Sequence, residues 1–464
     1  MSNDFDDIRL KFKELCSNRE MEVPIFSEEE IGRLPNILQL IGFLQQEENR
    51  ILIQDRGWQN YSFLQNMHSN GLKLSPFPSI YGSDRIYVNN IDDNKFIVNR
   101  LDSGRFCFKP NLRRHRFLFR GQNQHYPKIV SSFERKSIDE KLLSNIQVDD
   151  FVYMLRTHPL FMLFEHGIHL SPQKKPFFFE MNYYGLAQHY NFNTGLVDFT
   201  SDIYAAAFFA ITKNEGDDKY KVYDGKSKYG VIYVHELIPR MSFTALCGFR
   251  TIGHQIYPRT GAQHGFFYQE PDTRMPVEKC VRPYFFRHDS NCSEMLFAAM
   301  KNGEVLFPKD DLAPLSCEIR HSKRVTGQAF CNNLYSNQDD IQVNIKKLKG
   351  LGVNVDWHNR REFRNDMLKQ YYDNIKNGWW EEFCNKIAFD DESENALMES
   401  LLKLPNDPHY SQYFNPRQLE LLHYINQRVH ERAMKNQSLK KTSTQDAIKT
   451  FRYRFITTVL LDLY

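Results

Sequence analysis

Apolar residues recur at helical spacing along much of the chain, and short strand-like runs interrupt them. Near the start, residues 8–15 carry one apolar stripe, and a second follows Ser27, where a serine followed by three glutamates is a helix-capping signal. Pro35 lies inside the second stripe, so the pattern predicts two short helices rather than one. Proline-broken strand-like runs come next. We interpret residues 1–112 as a small N-terminal α/β accessory region with a packing or partner-binding role.

The middle of the chain alternates strand-like and helix-like patterns. Helices are predicted at 138–166 and 203–211, and the second is apolar on nearly all sides, which indicates burial. Strands are predicted at 117–119, 196–200 and 230–234, and the polar segment 214–230 is predicted as a loop. Residues 113–320 are therefore expected to form a mixed α/β domain.

The last part of the chain, residues 321–464, is predicted to be a mainly helical domain. Leucine stripes at 401–404 and 419–425 are typical of helix bundles, and prolines interrupt them. The final segment, 457–463, reads as one more helix. The three regions together predict an α+β protein.

Composition narrows the range of functions. The chain has 464 residues, a net charge of +3, 41% apolar residues and 25% charged residues, which is typical of a globular protein and not of a histone-like one. No apolar run of about 18 residues is present, so no membrane span is expected. The charged N-terminus has no secretory signal, and the scattered cysteines form neither C-x-x-C pairs nor zinc-finger spacings. We therefore expect a cytoplasmic protein without a metal site, and its oligomeric state stays open.

Arg120 ends a predicted strand and is followed by Gly121 and Gln122. A guanidinium offers a planar fork of donors that suits a phosphate or diphosphate, and glycine lets a backbone approach a ligand closely. The alternative is a structural Arg120 that pairs with Asp198 inside the domain, because buried charges are usually paired. Both roles are compatible if the arginine contacts both groups.

Asp198 lies in an apolar strand, and strand alternation places it on one face together with Thr200. A carboxylate in such a strand needs a partner, and Arg120 or His189 is the expected one. Asp198 is then either half of a core ion pair or a carboxylate that orients a ribose or a base. Thr200 and Ser201 precede an alanine-rich helix, whose free amides favour an anion. The alternative for Ser201 is simple capping, shared with the aspartate that follows it.

His189 and Tyr190 form a second candidate pair. A histidine between polar-tipped neighbours suits acid–base chemistry or hydrogen bonding, although a lone histidine is more often structural. Tyr190 either stacks on a nicotinamide or another base, or fills the core.

Several separated segments, taken in order, resemble the FRG domain family, which is named for its Phe-Arg-Gly motif. They are Phe-Arg-Gly-Gln at 119–122, Gly-Leu-Ala-Gln-His-Tyr at 185–190, Leu-Val-Asp-Phe-Thr at 196–200, an Arg…Gln-x-Gly-x-Phe block at 259–267 and Gly-Glu-Val-Leu-Phe-Pro at 303–308. Two positions depart from the family pattern, since Phe199 replaces its tryptophan and Gly195 stands where many members have arginine. The resemblance covers roughly residues 113–320.

The order of these blocks also resembles the ADP-ribosyltransferase superfamily, which implies a split sheet and NAD as substrate. In that superfamily an arginine or histidine on the first strand binds NAD, a middle strand brings a hydroxyl, and a late strand brings a glutamate. Here the late strand is expected to carry Gln263, which can orient a ribose hydroxyl but cannot stabilise an oxocarbenium ion as a carboxylate does. Glu270 is an alternative if the strand bends, although Pro271 indicates a turn.

Two functions follow from the resemblance. The first is an NAD-utilising enzyme that transfers ADP-ribose to a protein or nucleic acid, or hydrolyses NAD, with a role in bacterial defence or as a toxin. Its catalytic residues would be Arg120, His189 and Gln263. Its cofactor-binding residues would be Arg120, Gly121, Gln122, Tyr190, Asp198, Thr200 and Ser201. The second is a non-catalytic module that binds a nucleotide or a partner, and the missing late glutamate favours it.

Overall fold

The structure is a computed structural model. It describes residues 26–58, 96–100, 106–110, 115–158, 161, 180–237, 248–253, 255, 257–270, 276–337, 340–362 and 387–388. The predicted helix at 8–15, the proline-broken runs between 59 and 95, the leucine stripes after residue 400 and the final helix lie outside the described residues.

Two helices open the described chain, α1 (Glu28–Arg33) and α2 (Ile37–Trp58). Ser27 and Glu30 exchange the hydrogen bonds of a capping box, which satisfies donors that the first turn leaves free. The chain leaves the helical conformation around Pro35, so the predicted break is confirmed. The second helix, however, is long rather than short, with 22 residues.

A six-stranded antiparallel sheet forms the centre of the molecule. Its strands are β3 (Phe117–Gln122), β4 (Val197–Thr200), β7 (Tyr229–Glu236), β8 (Phe249–Thr251), β9 (Gly265–Tyr268) and β10 (Arg282–Arg287), in the order β10-β7-β3-β4-β9-β8. Further strands β1 (Phe96–Arg100), β2 (Phe106–Pro110) and β13 (Ile387–Ala388) form a separate three-stranded sheet.

The two faces of the central sheet carry different cores. On one face, Phe117 and Phe119 of β3 pack against helix α5 (Ile203–Ile211), which is buried on most sides as its sequence predicts, and against α2 and α7 (Ser290–Ala299). On the other face, Leu118 joins Val197 and Phe199 in a second apolar cluster. The alternation predicted for β4 is therefore confirmed, and Asp198 and Thr200 share the α5 face.

The sheet is split in its middle. Strands β3 and β7 are paired over their whole contact, from Phe117 with Glu236 to Gln122 with Val231. Strands β3 and β4 share only the pair Phe119 and Thr200. No other pair of described residues joins these two strands, so the pairing in the middle of the sheet is reduced to this one position, which we call the strand split.

Two predicted elements differ from the structure. The helix predicted at 138–166 is α3 (Ile138–Arg156), which ends at the cap residue Thr157. The loop predicted at 214–230 contains a hairpin, β5 (Thr212–Gly216) and β6 (Lys219–Val222). Its strands are polar because most of their side chains are exposed or half-buried, so the apolar alternation that marks a buried strand is missing.

Five further α-helices and one strand pair complete the described part of the chain, and several of them lie past residue 320. They are α4 (Tyr183–His189), α6 (Arg259–Ala262), α8 (Leu312–His321), α9 (Gly327–Asn337) and α10 (Ile341–Gly350), with the parallel strand pair β11 (Arg324–Thr326) and β12 (Asn354–Asp356). Leu142 and Ile146 of α3 share one apolar cluster with Val325 and Phe330. The chain immediately after residue 320 thus packs on the central domain through α3.

The α+β fold class is confirmed, because helices surround an antiparallel sheet instead of alternating with parallel strands. Among the described residues, no helix combines the length and the apolar character that crossing a bilayer requires.

Candidate functional site

Arg120 lies at the split between β3 and β4. Alternation directs its side chain away from α5, on the same face as its strand neighbour Tyr233. Its Nη1 donates a hydrogen bond of 2.9 Å to the main-chain carbonyl of Asp198, so the guanidinium joins the two strands beside their single backbone pair. Burial lowers the pKa of Arg120, and its Nε is buried without a partner among the described residues. An unused donor on a buried cation suits an anionic ligand.

Asp198 is held by a glutamine and not by the expected Arg120 or His189. Gln188 Nε2 donates to Asp198 Oδ2 at 2.8 Å, and the Thr194 hydroxyl donates to Gln188 Oε1. These two successive hydrogen bonds fix the rotamer of the Asp198 side chain. Its other oxygen, Oδ1, is buried and has no partner in the described part of the chain. The prediction of a direct side-chain ion pair was wrong, since the arginine bonds the carbonyl of Asp198 and not its carboxylate.

His189, Thr200 and Gln263 lie together on the α5 face. Thr200 Oγ1 donates to the Gln263 carbonyl at 2.7 Å, and Gln263 Nε2 donates to the Leu306 carbonyl at 3.1 Å. The His189 ring packs on Gly265, where an added Cβ would come within 2.8 Å of its Nε2. Burial lowers the pKa of His189, although Asp198 and the hydrogen-bond contact with Gln263 raise it, so the imidazole is neutral at pH 7.

Gln263 does not lie on the late strand where it was expected. It follows the short helix α6 and precedes β9, with φ −93° and ψ 0°. Arg259, which the resemblance placed in the same strand, is buried in α6 and forms an ion pair of 2.7 Å with Asp218. The run Arg-Thr-Gly-Ala lacks strand alternation, and its small residues allow a helical turn against α4. The Arg259 guanidinium is therefore a paired, buried group of the domain core.

The glycine of the Phe-Arg-Gly motif packs against a helix. A Cβ on Gly121 would lie 1.8 Å from the Ala206 carbonyl oxygen and 2.8 Å from the Ala210 nitrogen, both in the backbone of α5. Gly121 thus permits a close strand–helix contact on the face opposite Arg120. Gln122 returns to the Arg120 face, and its Oε1 is buried without a partner among the residues described.

Tyr190 is completely buried and fills the core. Its hydroxyl donates to Asp310 Oδ2 at 2.5 Å, and the guanidinium carbon of Arg259 lies 4.4 Å from the ring centroid. A base cannot stack on this ring as it lies, because Arg259 and the aromatic ring of Phe151 already cover it.

The capping alternative for Ser201 was wrong. Asp202 is the N-cap of α5, and its carboxylate accepts from the Tyr204 nitrogen at 2.8 Å. The Ser201 hydroxyl is buried with no partner in the described chain. The helix N-terminus already has its own carboxylate, which disfavours a second anion there.

His125 and Tyr233 belong to the Arg120 face, and sequence reasoning missed them. His125 Nδ1 and the Tyr233 hydroxyl are 2.9 Å apart, and His125 Nε2 is buried without a partner among the described residues. Burial lowers the pKa of His125. The one sequence signal was a histidine five residues after Arg120, beyond the end of the predicted strand.

These features define a class of domain, an α+β unit whose antiparallel sheet is split beside a buried arginine and an oriented carboxylate. Residues 115–219 match the FRG domain family, and the chain therefore carries an FRG domain. The matched segment includes Arg120, His189 and Asp198 and ends before Gln263. No curated protein and no solved structure matches the chain.

Proposed function

We propose that the FRG domain binds a dinucleotide such as NAD and that Arg120 holds its diphosphate. The observation that supports this most is the buried, permanently charged guanidinium with an unused Nε at the strand split. Phosphate oxygens accept two parallel hydrogen bonds from such a group. Gln122 Oε1 and His125 Nε2, also buried and unpartnered within the described residues, suit ribose hydroxyls on the same face.

An enzymatic use of NAD is the further step of the proposal, and Asp198 favours it. Its carboxylate is oriented by Gln188 and keeps Oδ1 free, which is the arrangement needed to stabilise positive charge on a ribose ring. In the reaction the N-glycosidic bond breaks, and its electron pair leaves with neutral nicotinamide. Water or an acceptor hydroxyl on a protein or nucleic acid forms the new bond at C1′ and releases its proton to solvent.

The other predicted residues have supporting roles in this proposal. His189 and Gln263 pack on the α5 face of β4, close to Asp198. The Thr200 hydroxyl hydrogen-bonds the turn that carries Gln263 and so holds that turn against β4. Gly121 and Tyr190 are held in packing contacts. The ligand is thus expected to contact Arg120 and Gln122 on one face of the sheet and to reach Asp198, on the other face, through the strand split between β3 and β4.

Binding is tested by calorimetric titration of the full chain with NAD, ADP-ribose and nicotinamide. NAD and ADP-ribose should bind, and nicotinamide should not, because it lacks a diphosphate. Arg120→Ala should weaken binding about ten- to a hundred-fold, the value of a charge-assisted hydrogen bond of roughly 1.5–3 kcal/mol. The exposed strand residue Arg282 gives a matched control, since Arg282→Ala removes the same charge elsewhere.

The result that would refute the binding proposal is equal affinity of the two alanine variants for NAD. Circular dichroism of Arg120→Ala verifies its fold, and Arg120→Lys, which keeps the charge without the fork, should bind with intermediate affinity. Binding of neither NAD nor ADP-ribose by the native chain would leave partner binding as the role of the module.

Catalysis is tested separately by nicotinamide release from NAD, with cell extract and nucleic acid supplied as acceptors. Asp198→Asn should abolish release while NAD binding persists. Binding without any release would establish the non-catalytic alternative. A defence or toxin role predicts that the active protein slows bacterial growth on expression and that Asp198→Asn removes this effect. Growth inhibition that survives in Asp198→Asn would argue against NAD chemistry as its cause.

A further inference from the structure

A cluster of three metal-binding side chains lies outside the strand split. Asp217, Cys317 and His321 each offer a ligand atom, and these atoms lie within 4.8 Å of one another. Cys317 and His321 are one turn apart on α8, and Asp217 is in the turn between β5 and β6. The fold therefore brings together residues that are about a hundred positions apart in sequence.

The distances suit a small divalent cation. Cys317 Sγ and His321 Nδ1 are 3.4 Å apart. His321 Nδ1 also donates to the Cys317 carbonyl oxygen at 2.9 Å, and a bound metal ion would replace that hydrogen bond. Sulfur and nitrogen ligands on a tetrahedral zinc ion are about 3.6 Å apart, from bonds of roughly 2.3 and 2.05 Å. A thiolate, an imidazole and a carboxylate form a mixed ligand set that suits Zn²⁺ better than Mg²⁺ or Ca²⁺, which prefer oxygen.

The surroundings support the carboxylate ligand. Arg320 Nη2 contacts Asp217 Oδ1 at 2.8 Å, which leaves Oδ2 for a metal. Second partners of this kind orient metal-binding carboxylates in many sites. Asp217 and His321 are exposed and Cys317 is half-buried, so a cation can enter from solvent.

We propose that Asp217, Cys317 and His321 form a zinc-class site that fastens the β5–β6 hairpin to α8 and keeps a fourth position open for water. The next residue of the hairpin, Asp218, holds Arg259 at 2.7 Å beneath Tyr190. Metal binding would therefore stabilise the contact between the hairpin and the core of the FRG domain. This site is independent of the proposed dinucleotide site.

The test uses the full chain, treated with chelator and titrated with Co²⁺ and then Zn²⁺. One equivalent of Co²⁺ should produce a thiolate-to-metal charge-transfer band and the visible bands of tetrahedral cobalt, and Zn²⁺ should displace it. Cys317→Ser should lose the charge-transfer band, and His321→Ala should weaken Co²⁺ binding at least tenfold. Cys292→Ser, which changes a half-buried free cysteine on α7, is the matched control and should behave as the native chain.

Two outcomes would overturn the proposal. One is the absence of a charge-transfer band in the native chain under reducing conditions. The other is a band that persists in Cys317→Ser, because the thiolate would then come from another cysteine. If Cys317→Ser fails to fold, His321→Ala and Asp217→Asn still decide the question, since both should weaken Co²⁺ binding while circular dichroism stays native.

Discussion

We expect the glycine of the Phe-Arg-Gly motif, Gly121, to be needed for packing of the fold, independently of any ligand. An alanine Cβ at position 121 would lie 1.8 Å from the Ala206 oxygen, whereas ordinary contacts begin at 3.4 Å, so the strand and α5 must separate by about 1.6 Å. Helix α5 cannot move freely, because seven of its nine residues are buried. Overpacking typically costs about 1–3 kcal/mol, and a backbone-to-backbone clash belongs at the upper end.

We expect Gly121→Ala to lower the free energy of unfolding by about 3 kcal/mol, or Tm by roughly 6–12 °C for a domain of this size. Urea and thermal unfolding measure both quantities. Gly195→Ala is the matched control, because nothing lies within 4 Å of its added Cβ and its φ is unstrained. That variant should be neutral or slightly stabilising, by up to about 1 kcal/mol. If Gly121→Ala keeps native stability but loses NAD binding, glycine serves ligand approach and the packing argument fails.

Two further predictions concern the buried polar groups around the sheet. Asp202→Ala removes the N-cap of α5 and should cost about 1 kcal/mol in urea unfolding, whereas Ser201→Ala should cost less than about 0.5 kcal/mol. The reverse order would return the capping role to Ser201. Burial raises the pKa of Asp310 to about 6, so its contribution to stability is full below the unfolded pKa of about 3.9 and is lost as pH rises through 6. Asp310→Asn should remove this pH dependence, so that the free energy of unfolding changes by roughly 1–3 kcal/mol less between about pH 4 and 6 than in the native chain. An unchanged pH profile would contradict this assignment.

Strongly apolar elements and a proline break could be predicted from the sequence. The apolar helix α5, the strand β7 and the break at Pro35 each follow from periodicity or from a missing backbone donor. The hairpin β5–β6 could not, because neither strand has an apolar face. The cap of α5 was ambiguous, since Ser201 and Asp202 are adjacent and both are good capping residues.

The pairing of site residues was harder to predict, since it depends on contacts between distant segments. Arg120, His189, Asp198 and Thr200 all lie in or beside β4, so the motif order selected residues that the fold brings together. The partner of Asp198 turned out to be Gln188, which sequence distance alone does not favour over its neighbour His189. A turn of helix α4 decides between them, because it directs adjacent side chains to different sides.

The missing late-strand glutamate does not leave the domain without a carboxylate, because β4 supplies Asp198 beside the strand split. The negative charge of Asp198 attracts Arg120 and repels an incoming diphosphate. The carboxylate therefore does not strengthen anion binding. Neutralising it in Asp198→Asn should leave NAD affinity unchanged or raise it, while any nicotinamide release disappears. If Asp198→Asn instead loses affinity as Arg120→Ala does, the carboxylate serves only to hold the arginine, and the domain has no group left to stabilise a ribosyl cation.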